Sequence, residues 1–227
     1  MLQLETVPPV VLAILLCASV IPLLGLLSPQ FTMYFVYDKS YLKRFEIWRL
    51  FTGIFVTGVS ISLIMRLYFI HKFSSLILEY NCRIDHVPTE IELAFFMFTM
   101  FVPLMIGNQL EGINTFSECI PIALIRYFSE LVPDNFRLNF FGTIMSAKTY
   151  SIVSLAIDYV LNGGRSKVYY GFLHALIYVY LRKKVLRVPA VFVEMIERAK
   201  RIKLERLFRT PEVGRRLGGE KKNKKKD

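Results

Sequence analysis

The chain has 227 residues, 54% of them apolar, and a mean hydropathy of +0.42, which excludes an ordinary soluble domain of this size and points to a membrane protein. Lys and Arg number 29 against 18 Asp and Glu, yet the imbalance is local: residues 1–181 carry 12 basic and 12 acidic side chains, and residues 182–227 carry 17 and 6. A basic segment after the last apolar run suits a cytoplasmic leaflet rather than nucleic acid, since no basic and aromatic interleaving accompanies it. Cys17, Cys82 and Cys119 lack paired spacing, and His71, His86 and His174 stand apart from one another. No disulfide framework, metal site or cofactor is expected.

In chain order the apolar runs are Val10 to Leu27, Leu50 to Ile70, Leu93 to Gly107, Ile120 to Leu131, Thr149 to Leu161 and Val168 to Leu181. These predict an all-α membrane protein with six spans over residues 10–181, preceded by a cytosolic 1–9. The first run has no basic residue before it and continues apolar past Ala18 and Ser19, which favours a retained span over a cleaved signal. A straight helix needs about 20 residues to cross a core about 30 Å thick, and the last four runs are shorter. Either polar flanks are recruited into those helices, or the protein is thinner than the bilayer and distorts lipid around it.

Ionisable residues enter the runs: Arg66, then Arg126 with Glu130 one turn on, Asp158 and His174. Such groups usually face a bundle interior or a wet cavity. Arg126 and Glu130 can pair at i,i+4, either as a structural pair or as part of a candidate polar groove with Asp158 and His174. Six spans put both termini on one side, and the basic tail places that side in the cytosol. Lys39, Lys43 and Arg44 in the first loop, 28–49, run against this rule.

That loop, from Pro29 onward, alternates aromatics with charges and suits the headgroup layer; Arg49 then has reach to a lipid phosphate, to Glu46 or to backbone carbonyls. Its residues Leu27, Ser28 and Pro29, then Phe45, Ile47, Trp48 and Arg49, resemble the derlin family, the rhomboid-like pseudoproteases of the endoplasmic reticulum. Further similar stretches follow in order, at Leu67 to Glu79, Phe140 to Thr143 and Asp158 to Gly164. The family's last span usually reads Gly-x-x-x-Gly-His-Leu-Tyr. Here Gly171 keeps the first glycine, Ala175 takes the second, Leu176 stands at the histidine position and His174 lies two residues early. The small-xxx-small spacing of Gly171 and Ala175 still allows close helix packing.

Rhomboid proteases carry Gly-x-Ser-Gly on the fourth span, and this chain has no such motif; Ser117 and Ser129 have bulky or acidic neighbours. The resemblance therefore implies a non-catalytic component of endoplasmic-reticulum-associated degradation that helps misfolded proteins reach the cytosol through a polar groove in a thinned bilayer. An active intramembrane serine protease and a small-molecule transporter are the alternatives. Implied partners are misfolded polypeptides, a ubiquitin-ligase complex and a cytosolic AAA ATPase, although the Phe- and Gly-containing box that recruits the ATPase in some derlins is not found. Oligomeric state stays open.

The tail, 182–227, contains a basic amphipathic helix over 190–209, with Phe192, Met195, Ile196 and Ala199 on one face. It suits anionic lipids or a partner protein. The lysine-rich end after Pro211 is expected to be disordered, and Lys224 and Lys225 are similar to a dilysine retrieval signal of the endoplasmic reticulum.

Overall fold

A computed structural model describes residues 8–38, 45–81, 87–140, 142–161 and 167–208. Lys39, Lys43, Arg44, Cys82, Phe141, Gly164, the first seven residues and everything from 209 on lie outside the described residues. The chain divides into two compact units, Met1–Val188 and Pro189–Asp227.

In the first unit, α1 (Pro9–Leu27) is followed by the short α2 (Pro29–Phe35) and α3 (Trp48–Thr52), then α4 (Ile61–Glu79), α5 (Thr89–Thr99) and α6 (Phe101–Glu111). After α7 (Cys119–Leu131) comes a hairpin of β1 (Arg137–Phe140) and β2 (Thr143–Ser146), then α8 (Ala147–Leu161) and α9 (Tyr169–Lys184). The second unit holds α10 (Ala190–Phe208).

The core is built around α7, which packs on α4, α8 and α9. Residues on every side of it are buried, including Ile120, Ala123, Leu124, Tyr127 and Phe128. Only Arg126, Glu130 and Leu131 of this helix are not fully buried, so most of its circumference is interior. Aromatic rings continue this core, with Phe96 stacked on Tyr127 at 4.4 Å and Phe73 edge-on to Phe128 at 5.9 Å.

Three sequence expectations need correction. The run Leu50 to Ile70 is not one helix: α3 ends at Thr52, residues 53–60 are irregular, and the helix restarts at Ile61 and runs to Glu79. Gly53, Gly58 and the β-branched Val56, Thr57 and Val59 explain the break. The third run extends into polar flanks at both ends, and α5 and α6 together cover Thr89–Glu111, with a break at Met100. Pro103, which lacks an N–H and crowds the carbonyl of Thr99, accounts for that break. Lastly, the chain is not wholly helical. β1 and β2 pair antiparallel from Arg137↔Ser146 to Phe140↔Thr143, and the turn is closed at Gly142, where φ is 89°.

By length and composition three of the described helices suffice to cross a membrane: Pro9–Leu27, Ile61–Glu79 and Thr89–Glu111. The helices α7, α8 and α9 have 13, 15 and 16 residues. At 1.5 Å per residue they are about 20, 22 and 24 Å long, so six crossings do not follow from length alone.

Candidate functional site

The C-terminal carbonyls of α2 would be left open by the end of the helix, and side chains from residues 46–52 close them. Trp48 Nε1 donates to the Tyr34 carbonyl at 3.3 Å, and Thr52 Oγ1 donates to Phe35 at 3.0 Å. Arg49 donates to the carbonyls of Met33 and Val36, and its Nε to the Glu46 carboxylate. Its side chain is buried. Of the partners within its reach, Arg49 has therefore taken the carboxylate and the backbone, and it is not presented to a lipid phosphate. Phe45, Ile47 and Trp48 remain exposed, and Phe45 adopts φ 60°. The backbone is tied further inward by Tyr37 N to the Asn114 carbonyl and Phe116 N to the Gly53 carbonyl, each 3.2 Å. A Cβ on Gly53 would come within 2.9 Å of the Tyr37 Cβ, so the close approach needs glycine there.

Gly171 makes a similar approach on α9. A Cβ there would lie 2.4 Å from the Cys119 carbonyl oxygen of α7. One turn on, Ala175 is fully buried. Small residues at these two positions let the helix backbones meet.

The charged residues of the apolar runs fall into separate places. Arg126 pairs with Glu130 on α7, donates to Ser151 Oγ of α8 at 3.1 Å and lies 4.9 Å over the Phe172 ring of α9. Asp158 stands about 10 Å along α8 from Ser151. His174 is buried and turned toward α5, with Nε2 3.3 Å from Thr99 Oγ1 and its ring 5.2 Å from Phe96. An apolar groove of about 430 Å³ runs between α7 and α9, walled by Leu176, Ile177, Val179 and Tyr180, with Glu130 and Lys183 among its lining residues.

A second polar cluster joins α4 to the start of α7. Arg66, early in α4 because that helix begins at Ile61, donates to Thr57 Oγ1 at 2.5 Å and Ser117 Oγ at 3.2 Å, and pairs with Glu118 at 2.8 Å. Asp158 lies on α8.

Sequence reasoning missed the most deeply buried charges. Arg182 of α9 meets Glu92 of α5 through Nε and Nη2, at 2.8 and 2.5 Å, and both side chains have no exposed surface. Tyr178 donates its hydroxyl to the same carboxylate at 2.8 Å, and Arg182 Nη1 donates to the Leu186 carbonyl at 2.5 Å. Each charge lies just outside an apolar run, Glu92 before Leu93 and Arg182 after Leu181, which is the signal that was available. Among the described residues no three His, Cys, Asp or Glu side chains gather as a metal site would require.

The family model of the Der1-like family matches residues 7–211. The chain belongs to the Der1-like family. No curated relative matches it at a significant level. The Der1-like, or derlin, family is membrane-embedded and associated with endoplasmic-reticulum-associated degradation, and its members are in general rhomboid-like pseudoproteases. In this derlin Ser117 lies in the turn before α7 and Cys119 opens the helix. Ser117 Oγ is held by Arg66, and Cys119 is buried, with Sγ donating to the Lys167 carbonyl at 3.4 Å.

Proposed function

We propose that this derlin is a non-catalytic scaffold of endoplasmic-reticulum-associated degradation that gives misfolded polypeptides a polar path toward the cytosol. The six spans of the proposed rhomboid-like bundle are α1, α4, the α5–α6 pair, α7, α8 and α9, with both termini cytosolic in the endoplasmic reticulum membrane. The observation that carries this reading is the seam of Arg66, Thr57, Ser117 and Glu118 between α4 and α7, with the Glu118 side chain half exposed. A chain crossing hydrocarbon leaves backbone groups unsatisfied at several kcal/mol each, and a wet seam lowers that cost. The short α7, α8 and α9 support a belt thinner than the bilayer, at fractions of a kcal/mol per Å of mismatch.

The non-catalytic assignment rests on the missing Gly-x-Ser-Gly and on contacts that leave His174 facing not a serine but Thr99, whose hydroxyl donates to the Phe96 carbonyl at 2.8 Å. Force would come from a cytosolic AAA ATPase reached through an adaptor, alongside a ubiquitin ligase. The test is the half-life of a misfolded luminal client in cells carrying Arg66→Ala, Glu118→Ala or the swap of Arg66→Glu with Glu118→Arg. Slower degradation in the single variants with recovery in the swap supports the seam. Unchanged degradation in Arg66→Ala overturns it, and cleavage of a transmembrane peptide by purified protein, lost in His174→Ala, overturns the non-catalytic reading.

A further inference from the structure

We propose that α10 is an in-plane membrane anchor that binds an anionic lipid surface, a role that goes beyond the polar path and does not depend on it. The helix runs without interruption over Ala190–Phe208, in a compact unit separate from the membrane body. Val191 and Met195 are 77% and 58% exposed, so apolar surface on its first two turns is left uncovered. Helical register puts Phe192, Met195, Ile196, Ala199 and Ile202 on one side, and Glu194, Glu197, Arg198, Arg201 and Glu205 on the other. The opposite side is solvated, as the exposed Arg198–Glu194 pair at 2.6 Å illustrates.

The chemistry of the sequence chooses a lipid surface over a protein groove. Lys203 follows Phe192 by about three turns and falls in register with it, and Arg206 falls beside Met195 and Ile202. Residues 190–208 hold five basic residues against three acidic, so charge complementarity points to an anionic lipid surface.

The test is amide hydrogen exchange over residues 190–208 in the full chain, reconstituted in lipid discs of phosphatidylcholine alone or of phosphatidylcholine with phosphatidylserine. Exchange should slow by about tenfold or more in the anionic discs and recover in high salt. Ile196→Asp, and separately Lys203→Glu with Arg206→Glu, should abolish that protection while leaving exchange over residues 8–188 unchanged. Equal exchange in the two kinds of disc, or protection that survives Ile196→Asp, would overturn the proposal.

Discussion

Arg182 and Glu92 stand 90 positions apart and meet as a two-pronged ion pair with no exposed surface, joining the end of α9 to the start of α5. Two charges can be kept there because nearly every polar atom is used. Tyr178 supplies a further donor to the carboxylate, and Leu186 accepts the remaining reach of the guanidinium. Removing one member strands a buried charge, whereas removing both strands only the neutral Tyr178 hydroxyl and the Leu186 carbonyl.

Arg182→Met should therefore destabilise the purified protein by about 3–5 kcal/mol, and the double variant with Glu92→Leu should recover a large part of that loss. Thermal unfolding in detergent checks this. A double variant no more stable than Arg182→Met would show that the pair is not the unit that matters.

Gly171→Val should push α9 off the Cys119 backbone and cost about 1–3 kcal/mol. Gly58→Ala serves as the control, because a Cβ there meets nothing within 4 Å. Equal melting temperatures for the two variants would count against backbone contact between α7 and α9.

Lysine should not replace Arg49, since one ammonium cannot span Glu46 and the carbonyls of Met33 and Val36. Arg49→Lys is expected to expose residues 29–52 to limited proteolysis nearly as strongly as Arg49→Ala. Phe substitution at Trp48, which is half exposed and contributes one hydrogen bond, should have the smaller effect.

Asp134 is bonded to Lys148 at 2.6 Å, and the ammonium holds its carboxyl below the usual carboxylate range. The folded pKa lies below the unfolded one, so the contribution is present above about pH 4 and is lost as pH falls through the depressed folded value. A carboxyl-carbon NMR titration should place the Asp134 midpoint below an ordinary aspartate, and Lys148→Ala should return it. The pair is exposed, so Asp134→Asn should leave melting at neutral pH nearly unchanged.

Helices continuous in apolar character were legible from residues alone. The run from Val10 predicts α1 to within a residue, and the run from Ile120 predicts α7 equally closely. Features that depend on distant partners were not. Nothing local marks Glu92 and Arg182 as partners, and burial becomes affordable only once α5 and α9 are side by side. Arg66 lies in the last third of the apolar run Leu50 to Ile70 but early in α4, because the break at 53–60 is hidden among Val, Phe and Ile, which suit helix and irregular buried segments alike. The hairpin was missed because Arg137 to Ser146 is too short and mixed to show a clear alternation. At the candidate sites, spacing alone paired Arg126 with Glu130 and put Gly171 one turn from Ala175, whereas the turning of His174 toward Thr99 required the packed helices.

The polar path is tested most directly by photo-crosslinking a stalled misfolded client to probes placed one at a time at Met65 of α4, Ile157 of α8 and Leu16 of α1, all exposed positions. Adducts should form at Met65, which precedes Arg66 of the seam, in clear excess of those at Ile157 and Leu16. Adducts distributed equally over the three, or confined to Leu16, would contradict passage along the seam between α4 and α7.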